Sequence, residues 1–256
     1  MTKTKDIAKY EVSEFKPEWI DQQFPSDDEF IMTKEIIKFY LINSPCYRSS
    51  SRGTDITTWG KPNIVLWDKL KKELNLENGK NFDYGKSLPE MKNLFAKHGI
   101  KKEFRNIKND EIVFLLSESN IVESIFKHIR NSIAHSRWQK DGDYYYFEDG
   151  KDVIFGDNTC FCVSARIVLS TDALIKWRDI ILNGPSKEEK QIIDLDNTLE
   201  SCLDKLSVQF SGKYFTRKEA VDALGISNNI WIKLYSKGKA DKKMKFENKH
   251  WEIKKG

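Results

Sequence analysis

Isoleucine recurs every fourth residue at positions 121, 125, 129 and 133, with Val122 and Phe126 beside it. At about 100° per residue these six side chains make one continuous apolar stripe. The segment from about Ser119 to His135 is therefore predicted as an amphipathic helix that lays one face on a core. Arg130, Asn131 and His135 fall outside the stripe, near the helix end. Asn131 and His135 are four apart and share a face, and His128 lies on that face too. Arg130 and His135 are five apart, so roughly 140° separates them on a regular helix, and they border the stripe from opposite sides. Two arrangements would aim both at one atom. The helix unwinds after Asn131, or two copies of the helix meet and share a site. The second is favoured, because a two-fold contact sets each copy's polar residues opposite its partner's.

These residue types suit the cleavage of a phosphodiester in RNA. The 2′-hydroxyl must lose a proton, the 5′-leaving oxygen must gain one, and the phosphorus passes through a charge-rich state. An imidazole takes and returns protons near neutral pH. An arginine stays charged and forks two donors onto phosphate oxygens. An amide such as Asn131 orients either partner. The scheme needs no metal and no cofactor. By residue type alone, however, an Arg and a His at a helix end are most often surface charges that favour its C-terminal dipole.

Elsewhere the pattern is mostly helical. Ser26-Asp27-Asp28-Glu29 is placed to cap a helix from about Phe30 to Ile42. Asn43 to Pro62 reads as a loop whose Arg48 and Arg52 are either phosphate contacts or, more simply, solvated charge. Helices are expected over Ile64 to Leu74, Leu88 to His98 with Gly99 as its stop, and Asp110 to Leu116. After His135 the period turns strand-like. Tyr144 to Phe147 is β-prone, Asp149-Gly150 is a turn signal, and Asp152 to Phe155 and Thr159 to Val168 follow, giving two or three antiparallel strands. Ser170 then caps a helix over Ala173 to Leu182 that ends at Asn183-Gly184-Pro185. In that helix Trp177 takes the inward spacing with Leu174 and Ile181. Tyr144 and Tyr146 are candidates to stack on unpaired bases, although packing of the strands accounts for at least two of this aromatic run.

Gly184-Pro185 is the expected domain boundary, giving domains 1–185 and 186–256. The second begins with a polar helix to about Leu206. Thr216 and Glu219 then form a capping box, a helix breaks at Gly225, another spans Asn228 to Lys237, and Met244 to Ile253 alternates like a hairpin. Helix, tight turn, helix and β-ribbon make a winged helix-turn-helix pattern. Between Lys237 and Lys255 eight lysines face three acidic residues, with Lys242, Lys243 and Lys245 placed to grip phosphates unless the tail is simply solvated.

The net charge of +4 is spread over 43 basic and 39 acidic residues, so its location matters more than its size. No run of about eighteen apolar residues suggests a membrane span, and the N-terminus leads into no apolar signal segment. Cys46, Cys160, Cys162 and Cys202 lack metal-site spacing. They read as reduced thiols of a cytoplasmic protein, without a role for the C-x-C pair.

The segment Lys127-His-Ile-Arg130-Asn131-Ser-Ile-Ala-His135-Ser-Arg-Trp138 resembles the Arg-polar-x3-His motif of the HEPN family, with Asn in the polar position. The Tyr-rich strand and Ala165-Arg166-Ile-Val-Leu…Leu174-Ile-Lys-Trp177 resemble one prokaryotic branch of it. The likeness spans roughly Phe30 to Leu182, and its specific part is Lys127 to Trp177. The resemblance implies a mainly α fold: a helical bundle with a small antiparallel β insertion, ahead of the small winged-helix-like domain. It implies dimerisation through the motif helices. It also implies metal-independent endoribonuclease activity leaving 2′,3′-cyclic phosphate and 5′-hydroxyl ends, with Arg130, Asn131 and His135 as catalytic residues. Such proteins often serve as toxins or in defence against phage, so an antitoxin or defence partner is expected. His128 and Arg137 lie outside the motif and receive no catalytic role. The alternatives are a DNA-binding regulator working through the C-terminal domain, and a catalytically silent adaptor for RNA or protein.

Overall fold

A computed structural model of the chain describes residues 6–16, 26–45, 53–60, 63–101, 104–210, 214–226, 231–232, 234–236, 244–247 and 250–253. Cys46, Arg48, Arg52, Lys242 and Lys243 lie outside them. The chain forms two compact units, Met1–Pro185 and Ser186–Gly256.

The first unit is organised by a five-stranded mixed sheet, and this corrects the expectation of a mainly α helical bundle with a small β insertion. Its strands are β1 (Phe82–Gly85), β2 (Glu111–Leu115), β3 (Trp138–Asp141), β4 (Tyr144–Phe155) and β5 (Asn158–Ser170), in the order β1-β2-β5-β4-β3. β1 runs parallel to β2, and the other pairings are antiparallel. Two features of the sequence conceal the sheet. The apolar run Ile112 to Leu116 matches a buried helix turn as well as a buried strand. Its brevity and its Ile-Val-Phe content decide for the strand. Asp149-Gly150 carries turn residues, yet β4 passes straight through them with a register shift against β5. Gly150 is needed there for closeness. A Cβ at that position would lie 2.4 Å from the Cys162 carbonyl oxygen, so the residue serves a bulge rather than a turn. The true β4–β5 turn is at Gly156, with φ of 61°.

Helices cover both faces. α1 (Asp27–Ile42), α2 (Ile64–Glu73), α4 (Ile121–Ala134) and α5 (Thr171–Asn183) lie on one, and α3 (Leu88–Lys97) on the other. Alternation along β4 shows the division. Tyr145 turns to the first face, where its hydroxyl meets Thr33 of α1 at 2.8 Å. Tyr146 turns to the second and joins Met91, Phe95, Ile100, Phe104 and Val113. The first layer is tied together by the Tyr40 hydroxyl donating to the Leu174 carbonyl and the Trp177 indole donating to that of Leu70. Trp177 is fully buried. Burial holds the Tyr40 hydroxyl well above its ordinary pKa and pushes that of Tyr145 up to about 12. Both therefore stay neutral hydroxyls. Side-chain caps set the helix starts: Ser26 for α1, Asn120 for α4 and Ser170 for α5, with a Ser87–Glu90 capping box on α3.

The second unit contains α6 (Lys187–Gln209), α7 (Arg217–Leu224), helical residues at 231–232 and 234–236, and a hairpin of β6 (Met244–Glu247) and β7 (His250–Ile253). Capping boxes Ser186–Glu189 and Thr216–Glu219 start its helices, and Gly225 ends α7 in the left-handed region. Leu199, Leu203, Leu206, Phe215, Ala220, Trp231 and Leu234 form its core. Lys245 lies on β6 opposite Glu252.

Candidate functional site at the end of α4

α4 is enclosed along most of its length. From Ile121 to Ile133 no residue is fully exposed, and only Ala134 and His135 at its end reach the surface freely. The isoleucine stripe is consumed within the chain, with Ile125 and Ile129 buried. A second copy therefore has access to the end of α4 and not to its apolar face. The helix stays regular past Asn131, because the His135 N–H donates to the Asn131 carbonyl at 2.9 Å. Unwinding after Asn131 is not what brings Arg130 and His135 together.

His135 is the C-cap. After it, Ser136 N–H donates to Ile133 and Arg137 N–H to Ser132, at 3.1 and 2.7 Å. This is a Schellman ending. Glycine usually takes the left-handed position of that motif, but here Ser136 holds it with φ of 55°. The turn leaves His135 exposed and sends the chain back into β3.

One turn earlier the polar face of α4 meets β4. Asp149 is buried, and its Oδ2 lies 2.6 Å from His128 Nδ1 and accepts from Asn131 Nδ2 at 3.3 Å. His128 is also buried, and its Nε2 lies 2.8 Å from the Leu115 carbonyl at the end of β2. That carbonyl only accepts, so Nε2 carries a proton. The short Nδ1–Asp149 contact then needs a second proton, carried by the imidazole or by the carboxyl. Asn131, half-buried, has its amide nitrogen turned toward Asp149, which leaves its side-chain oxygen as the acceptor. Arg130 is half-buried on the neighbouring side. The structure thus joins Asn131 to His128 and Asp149, with Arg130 the neighbour of Asn131 in the chain and His135 one turn further on at the C-cap. Sequence reasoning took Asp149 for a turn residue. An acidic pair, Glu148-Asp149, directly after the aromatic run Tyr144 to Phe147 was the available signal.

Glu148, the preceding residue, points through the opposite face. It is fully buried, pairs with Arg166 Nε at 3.0 Å and also meets Arg137 and Ser13. Arg166 Nη1 reaches Glu11 at 2.8 Å and the Ile100 carbonyl at 3.0 Å, and its guanidinium lies over the rings of Phe95 and Phe104. Two arginines thus meet two glutamates, as a low-dielectric interior requires. Glu11 arrives on residues 11–13, which bond to β5 through Val163 N–H to Glu11 and Ser13 N–H to Phe161.

The other expected contact residues are placed as follows. Tyr146 is fully buried, donates to the Ile107 carbonyl and accepts from Lys108, so its ring has no free face for a base. Tyr144 is half-buried against the same core. Cys162 is buried and Cys160 partly so, and neither forms a disulfide. Among the described residues no group of three His, Cys, Asp or Glu is arranged to hold a metal ion, and no helix is long and apolar enough to cross a membrane. Comparison of the chain with protein-family models, with curated proteins and with solved structures finds no match.

Proposed function

We propose that the protein is a metal-independent endoribonuclease whose chemistry is carried by Arg130, Asn131 and His135. The likeness to the HEPN motif enters through the α4 segment and not through the fold. The observation that carries the reading is the state of those three side chains. His135 is exposed at a helix end, Asn131 is held by Asp149 with its oxygen turned away from that carboxylate, and Arg130 is the half-buried residue before Asn131. His135 serves as general acid or base, Arg130 neutralises the charge growing on the phosphate, and Asn131 orients the 2′-hydroxyl or the imidazole. Since α4 does not unwind, we place the two-fold contact that completes the site at residues 134–136. The reading puts the protein in the cytoplasm, acting on RNA as a toxin or defence effector under control of a partner protein.

The test is an RNA digest in EDTA with end-group analysis. Wild-type protein is expected to leave 2′,3′-cyclic phosphate and 5′-hydroxyl ends. His135→Ala and Arg130→Ala are expected to lose at least about a hundredfold in rate. Undiminished cleavage by His135→Ala in a clean preparation rejects the assignment. The helix–helix–hairpin order of the second unit supports a second reading, a DNA-binding regulator with no cleavage of its own.

A further inference from the structure

Asp149 and His128 are buried ionisable groups that the proposed chemistry does not use, and Asp149 bonds directly to a side chain that it does. We infer that the Asp149–His128 pair is a positioning device that fixes the amide of Asn131 for the reaction, an inference that rests on the ribonuclease reading. The argument begins with donor and acceptor accounting. Leu115 offers only a carbonyl, so His128 Nε2–H is committed to it. Nδ1 and the Asp149 carboxylate then share a single proton across 2.6 Å. The same carboxylate oxygen receives the Asn131 amide. An asparagine amide left alone flips between two nearly isosteric states. Here only one satisfies the carboxylate, and that one turns the amide oxygen away from Asp149.

The backbone supports the same assignment. Strand alternation turns Asp149 to the α4 face together with Tyr145 and Phe147, and the register shift against β5 follows immediately at Gly150, where a Cβ would meet the Cys162 carbonyl. A staple between helix and sheet would need only the histidine. The extra bond to Asn131, on the next turn of α4, carries the constraint to the surface.

Asp149→Asn separates these roles. The variant keeps the size of the side chain but removes the carboxyl group that shares a proton with His128 Nδ1. With Nε2–H still bound to Leu115, Nδ1 becomes an acceptor, and the new amide must donate to it. Its nitrogen then turns toward His128, and the oxygen that held the Asn131 amide is re-aimed.

The experiment uses the full-length protein and combines RNA cleavage with side-chain amide NMR. In the wild-type spectrum the Asn131 Nδ2 protons are expected to be shifted, to exchange slowly and to show contacts to the His128 ring. In Asp149→Asn the two Asn131 signals should move toward the values of exposed amides, and kcat should fall by about ten- to a hundredfold with KM little changed. An Asp149→Asn variant that is folded and cleaves like wild type overturns the inference and leaves the ribonuclease reading standing. If the variant does not fold, the wild-type spectrum decides. A freely exchanging Asn131 amide overturns the inference, and a protected one in contact with His128 supports it. Wild-type protein that cuts no RNA removes the ribonuclease reading and the positioning role together.

Discussion

Ser136 spends backbone energy at the position that follows the candidate base. A non-glycine residue in the left-handed region costs about 1–2 kcal/mol, and the Schellman bonds from Ser136 and Arg137 over-determine it. Ser136→Gly is therefore expected to raise unfolding stability by about 1 kcal/mol, read as a higher urea midpoint at unchanged slope. An unchanged or lower midpoint would show that the serine is not strained. The motif residues were legible in the sequence as types and spacings. Their partners were not, because Asn131, His128 and Asp149 are brought together by a strand 18 residues from Asn131, and no local period encodes that contact. Tyr146 shows the opposite failure. An aromatic in a polar-flanked strand suggests stacking, but tertiary packing against Phe104 places it in the core.

Among the elements, the helices were the legible part. α2, α3, α4 and α5 follow from apolar spacing, with Gly99 marking the end of α3 and Ser170 the start of α5. β2 was mistaken for a helix because five apolar residues carry too little period to distinguish the two. β1 is shorter still, and its place depends on β2 beside it. The end of α3 shows how the sheet holds a helix. His98 sits between Glu111 of β2, at 2.6 Å, and Asp83 of β1, at 3.3 Å, and Lys97 reaches Asp83 at 2.8 Å. Burial pushes the Asp83 carboxyl up, but bonds from Lys97, His98 and the Tyr84 N–H outweigh it, so the net shift is downward from 3.8. For Glu111 burial dominates over its bond from His98 and the shift is upward from 4.5. A folded-state pKa below the unfolded one contributes stability at pH above the unfolded value, and that contribution disappears as the pH falls through the folded one. Asp83→Asn is accordingly expected to lower stability at pH 6 and to flatten its decline below pH 4, measured by denaturant titrations across that range. A decline as steep as that of wild type would remove Asp83 from the acid response. Glu111 has the opposite sign: its penalty develops as the pH rises past 4.5.

At the scale of the molecule, each unit has a core of its own, and a chain ending at Pro185 retains every residue of the α4 site. That fragment is expected to fold and to keep its RNA cleavage. A folded fragment that has lost cleavage, beside a C-terminal unit that binds DNA, would favour the regulator. The architecture of the first unit was the least legible level, since the sheet is assembled from strands interleaved with helices and one segment joins it from the far end of the sequence. Glu11 meets Arg166 across 155 positions. During synthesis that glutamate leaves the ribosome long before its arginine exists, and a distant contact forms only once loop closure is offset. The first described stretch of the polypeptide is thus among the last to be seated. Until β5 has been made, a nascent chain must carry Glu11 in water, and a product truncated before Arg166 lacks the cation that receives it.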